Sequence, residues 1–128
     1  MARPLKILHL GTYDHSLFGE ELKLYDPKRP SHPSSWIRNL LAAYSKRYSQ
    51  ETEIHFLTFS ANFQYDQTIT HENIKFHFIS AQSLKNLIGV GNERSTVWLD
   101  VLIKARNIIK DVNPDIVHAH GTESIFGM

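Results

Sequence analysis

His118 and His120 stand two residues apart just before Gly121. In an extended strand such residues point to the same side, so this segment offers two imidazoles on one face. An imidazole titrates near neutrality, and it can share a hydrogen bond, move a proton or ligate a metal. His9, near the end of another apolar run, can bring a third ring alongside. Zinc wants three or four ligands in a tetrahedral arrangement, and no further cluster supports one, so no metal is expected. A histidine inside a buried strand is ordinarily a hydrogen-bonded core residue, which is the expectation for His118. For His120, at the strand end, the core and functional readings stand level on the residues alone.

Other groups gather around these rings in the chain order. Gly11 and Thr12 follow the first apolar run, Ser34 and Ser35 precede a helical pattern, and Gly121, Thr122 and Glu123 follow His120. Amides at Ser34 and Ser35 could meet an anion at a helix N-terminus, although simple capping explains both serines as well. Glu123 suits the opening turn of a helix, where a carboxylate favours the dipole. Tyr13, His15 and Phe18 are exposed-loop candidates for stacking on an apolar ligand face. Lys23, Lys28 and Arg29 can steer an anionic ligand or a lipid headgroup, although a solvated loop is the favoured reading.

The elements that must position these residues follow from periodicity. Residues 5–10 read as a buried first strand. Residues 11–33, with two glycines and three prolines, show no helical period and read as a structureless connection. Trp36, Ile37, Leu40, Leu41, Tyr44 and Tyr48 then recur at helical spacing behind the serine cap. Residues 53–59 (EIHFLTF) and 74–80 (IKFHFIS) alternate as strands, joined by a polar segment. Residues 81–95 are ambiguous, with Leu84, Leu87 and Ile88 suiting a short helix. Residues 96–112 carry an apolar stripe of Trp98, Val101, Leu102, Ala105, Ile108, Ile109 and Val112, closed by Asn113 and Pro114. Residues 115–119 read as a short buried strand, and residues 123–128 as the start of a further helix. Helices alternating with short apolar strands predict an α/β fold, a Rossmann-like, mostly parallel sheet with helices on both faces. Its ligand edge is then the carboxyl edge, where the loops after the first and last strands lie.

The segment Pro114-Asp115-Ile116-Val117-His118-Ala119-His120-Gly121 resembles a strand end of the family-four retaining glycosyltransferases. Gly121-Thr122-Glu123 is similar to variants in polysaccharide-building members. KILHL, WIRNLLAAYSKR and EIHFLTF follow the same order of strand, helix and strand. The resemblance implies the N-terminal, acceptor-side Rossmann-like domain of a two-domain GT-B enzyme, here incomplete over residues 1–128. A C-terminal domain, absent from the sequence, would hold the nucleotide-diphosphate sugar, and its paired glutamates would lie downstream. Without that domain the chain is expected to be silent as a catalyst.

On this resemblance His120 is the catalytic candidate, in the cleft near the transferred sugar. Gly11, Thr12, Ser34, Ser35, His118, Gly121, Thr122 and Glu123 are the substrate-binding candidates. The reaction class is metal-independent, so no metal and no cofactor is expected. The partners are a sugar-nucleotide donor and a sugar or lipid-linked acceptor, with room for peripheral membrane contact. One departure is plain: many members place a Gly-Gly pair after the first strand, and this chain has single glycines at Gly11 and Gly19.

Composition narrows the rest. A formal net charge of +1 argues against nucleic acid as a partner. The absence of cysteine excludes disulfides and thiol chemistry. The first apolar run is broken at Lys6 and His9, short of the about 7–15 residues of a secretory signal core and the about 20 of a membrane span. A cytoplasmic location, with access to the inner face of the membrane, is therefore expected. The alternative is a non-catalytic Rossmann-like or flavodoxin-like binding module. A dinucleotide site is disfavoured, since GTYDHSLFG after the first strand lacks the G-x-G-x-x-G turn.

Overall fold

The protein is described by a computed structural model over residues 3–11, 15–28, 35–48, 50–60, 62–81 and 93–120. Its elements are β1 (Leu5–Leu10), a 3₁₀ segment (His15–Glu21), α1 (Ser35–Tyr48), β2 (Thr52–Ser60), β3 (Gln67–His71), β4 (Ile74–Ser80), α2 (Glu93–Val112) and β5 (Ile116–Ala119). They build one five-stranded sheet in the order β3-β4-β2-β1-β5. β1, β2, β4 and β5 run parallel, and only β3 is antiparallel, against β4. This is the α/β, mostly parallel sheet that the periodicity predicts.

Strand alternation sorts the core into two clusters on opposite faces. On one face Ile54, Phe56, Ile74, Phe76 and Phe78 pack with Ile37 and Leu41 of α1. On the other, Leu8, Leu57 and Ile79 pack with Val101 of α2, backed by Ala105, Ile108 and Ile109. The α2 stripe is narrower than expected, because Leu102 is exposed beside Leu99 and Ile103. α2 also begins at Glu93, three residues before the expected start. It ends where expected, through Asn113 at φ 51°, whose amide donates to the Ile109 carbonyl at 2.8 Å. An asparagine in this left-handed position followed by proline is a common helix stop.

Two expectations about connections are corrected. The stretch expected to be structureless is partly ordered, with residues 15–21 in 3₁₀ turns split at Gly19. Phe18 sits in the core, edge-on to Phe76 and Phe78 at centroid distances of 4.9 and 5.1 Å, and is not an exposed stacking residue. Burying a phenyl ring this deep anchors the segment more strongly than its polar composition suggests. Beyond it, the Gln64 amide donates to the Lys23 carbonyl and the Tyr25 amide to the Asn62 carbonyl, both at 2.9 Å.

The second correction is β3, read from sequence only as a polar link. It forms a two-residue hairpin with β4 through Glu72 and Asn73, both at positive φ. That is the primed turn whose twist matches the strands.

β5 departs from expectation too. Predicted as a buried strand, it is exposed along its whole length, because among the described residues it lies at the sheet edge with β1 as its only neighbour. Its amino end is clamped: the Arg3 guanidinium donates two hydrogen bonds to the Asp115 carboxylate, which also accepts from the Lys6 amide. These bonds hold the carboxyl down at about 2, well below the usual range. Among the described residues, no helix is long and apolar enough to cross a membrane.

Candidate functional site

The chain leaves β1 in one direction across the sheet, through β2 and β4, and then returns to place β5 on the other side of β1. The strand order thus reverses between β1 and β5. In open α/β sheets a crevice forms outside the carboxyl ends of the strands at such a point. His9 and Gly11 lie at that end of β1, and His118 and His120 at that end of β5.

Register decides which rings meet. His9 pairs with His118 across the β1–β5 ladder, so their side chains share the α1 face, and His120 follows two residues on. The His9 and His120 rings share a hydrogen bond, Nδ1 to Nε2 at 2.8 Å. The His118 and His120 rings stack at 4.2 Å between centroids, and His9 lies 5.4 Å from His118. Phe56, the β2 residue paired with His9, stacks beneath both His9 and His120 at 6.4 and 6.3 Å. The arrangement is a layered patch of imidazoles over an aromatic floor.

Burial grades across the patch. His9 is 1% exposed, His120 is half-buried and His118 is open to solvent. His118 is therefore not the core histidine its strand pattern suggested; that place belongs to His9. Burial and the neighbouring His120 and His118 push the His9 pKa down to about 4. His120 is lowered as well, first by burial and then by His118. Both rings are neutral at pH 7, free of a fixed charge that would repel a cation or attract an anion.

Gly11 has a specific reason to be glycine. A Cβ placed there would lie 3.2 Å from the Cβ of His120, so the missing side chain makes room for that ring's backbone to approach. The approach is fixed by the His120 amide donating to the Leu10 carbonyl at 2.8 Å and the Gly11 amide to Leu57 at 3.2 Å.

Of the residues singled out from sequence, the structure brings together His120, His118 and Gly11. Thr12, Ser34, Gly121, Thr122 and Glu123 lie outside the described residues, as do Tyr13 and Arg29. Ser35 is described only as the first residue of α1. Lys23 and Lys28 are exposed. The sequence offers His9 only as a third ring beside His118 and His120, yet it is the buried centre of the patch. The signal was available in the parallel endings ILHLG and IVHAHG, which place histidines at matching heights on adjacent strands.

A second imidazole pair was missed. On the opposite face, His55 Nδ1 and His77 Nε2 lie 2.9 Å apart, and His55 Nε2 lies 2.8 Å from a Glu53 carboxylate oxygen. In the tautomer that donates His55 Nε2–H to Glu53, His55 Nδ1 accepts from the His77 Nε2–H. The chain His77, His55, Glu53 is a satisfied polar row inside the sheet, at the far side from the switch-point patch.

Compared with protein-family models, curated proteins and solved structures, the chain matches none of them.

Proposed function

We propose that this chain is the acceptor-side part of a retaining glycosyltransferase with GT-B architecture, resembling family four. The observation that carries the reading is the meeting of the two strand endings, His9-Leu10-Gly11 and His118-Ala119-His120, at the point where strand order reverses. Residues 114–120 of the PDIVHAHG-type segment thus lie where α/β sheets receive ligands. In this reading the sugar rests at the carboxyl edge of β1 and β5. His120 offers a ring nitrogen to a hydroxyl of the sugar or the acceptor, and His9 orients the His120 ring through the 2.8 Å hydrogen bond. Phe56 lies beneath the patch and keeps those two rings parallel to it. Gly11 keeps the end of β1 close to His120, and His118, being exposed, contacts the outer part of the saccharide.

Transfer with retention needs a nucleotide-diphosphate sugar, held by residues of a second domain, and a sugar or lipid-linked acceptor. The cytoplasm, at the inner face of the membrane, is where such a donor and a lipid-linked acceptor meet. The test uses the complete gene product with a panel of nucleotide-diphosphate sugars and reads release of the nucleoside diphosphate. Turnover with one donor is expected, and His120→Ala should lower kcat by about 10²-fold or more, the scale of a positioned acid or base. No turnover across the panel, or an unchanged kcat in His120→Ala, contradicts the reading and favours a binding module.

A further inference from the structure

The three imidazoles at the β1–β5 edge are also a donor set. We infer that His9, His118 and His120 together bind one divalent transition-metal ion of the zinc class. One ring nitrogen from each of the three residues lies within 4.8 Å of the other two. A tetrahedral zinc with bonds of 2.0–2.1 Å holds its nitrogens about 3.3 Å apart. The His9–His120 separation of 2.8 Å is below that spacing and the 4.8 Å limit is above it, so the ion requires only small ring rotations. His9 and His120 are held by the sheet and by Phe56, while exposed His118 has room to swing in.

The set holds imidazoles only, a composition that suits zinc, copper, nickel and cobalt and disfavours magnesium and calcium. Three protein ligands leave a fourth position open, and the exposed side of His118 and His120 gives water or a ligand oxygen access to it. The hydrogen bond between His9 and His120 gives way on binding. Its proton moves to the donor ring's other nitrogen, so both facing lone pairs become available and two neutral ligands remain. This site stands on ring positions alone and goes beyond the glycosyltransferase reading. The two are linked in one respect: a metal engages the His120 ring that a sugar hydroxyl would otherwise use, so metal and saccharide compete.

The test uses the tag-free, chelator-treated full chain and the metal alone. Co²⁺ is followed by its visible d–d absorption and Zn²⁺ by calorimetric competition. One equivalent is expected, with the intense bands of a four-coordinate ion. Loss of an outer partner of a metal ligand costs about 10–100-fold in affinity, so loss of a ligand should cost at least that. His118→Ala, at an exposed position, should therefore weaken binding by at least about tenfold while keeping the thermal midpoint of the metal-free chain. His120→Asn should weaken metal binding to the same extent, and His71→Ala, outside the patch, should leave metal affinity unchanged. Absence of a stoichiometric site, or affinity unchanged by both His118→Ala and His120→Asn, overturns the proposal. Transfer activity in the complete gene product is a separate readout, so loss of either conclusion leaves the other standing.

Discussion

A methyl group added at Gly11 would meet the His120 Cβ at 3.2 Å and the rim of Phe56 at 3.6 Å. Backbone hydrogen bonds hold both strands there, so the added atom must push the ring or part the strand ends. Gly11→Ala is expected to destabilise the fold by about 1–3 kcal/mol, the usual cost of overpacking, and to displace His120. Urea denaturation gives the first effect, and the loss of the His9–His120 coupling in imidazole NMR gives the second. At His77 the prediction concerns pH. An unfolded histidine takes up its proton near pH 6.5, whereas in the fold burial and the neighbours His55 and Lys75 hold His77 down at about 4. Between these values the unfolded state binds more protons, so stability is full above pH 6.5 and is lost as pH falls toward 4. Glu53 and Lys6 lie at the same end of the row, 3.7 Å apart. His77→Gln keeps an N–H for the His55 Nδ1 and removes the titration, so urea midpoints from pH 7 to 5 should fall less steeply than in the parent chain.

At the scale of elements, local signals explain most of what was legible. β1, β4 and the end of α2 fall where alternation, apolar runs and Asn113-Pro114 put them. The hairpin at Glu72 and Asn73 was hidden because its turn lacks the Asn-Gly or Asp-Gly pair and its β3 strand, QTITH, is short and polar. Phe18 was misread because a ring inside a glycine- and proline-rich stretch carries no periodicity; only the tertiary fold shows that it fills the space beside Phe76 and Phe78. The α2 stop offers a direct test. Asn113 occupies a left-handed conformation at φ 51°, which glycine adopts without a Cβ penalty. Asn113→Gly should leave stability level or raise it by a few tenths of a kcal/mol, and Asn113→Val should lower it by about 1–2 kcal/mol. Thermal unfolding of the two variants reads the difference, and equal losses in both would show that the side chain rather than the backbone carries the stop.

At the scale of the molecule, the reversal of strand order between β1 and β5 turns separate sequence segments into one site. The sequence order of strands and helices indicated the mostly parallel sheet and the shared carboxyl edge of β1 and β5. The exposure of His118 and the burial of His9 were not legible, because they depend on which strand ends up at the edge. A run such as IVHA looks the same in the centre of a sheet as at its rim, and only pairing distinguishes the two. The Arg3–Asp115 clamp explains how a four-residue edge strand holds register: it fixes the amino end, and the His120 amide to Leu10 fixes the other. The proposed function requires that this carboxyl edge receive a saccharide. Its most direct measurement is a titration of the ¹⁵N-labelled chain with a panel of acceptor mono- and disaccharides, following the imidazole resonances. Shifts confined to His9, His118 and His120, with His55, His71 and His77 unmoved, are the expected result. A saccharide that binds while those three rings stay still, or a panel that moves no imidazole at all, would contradict it.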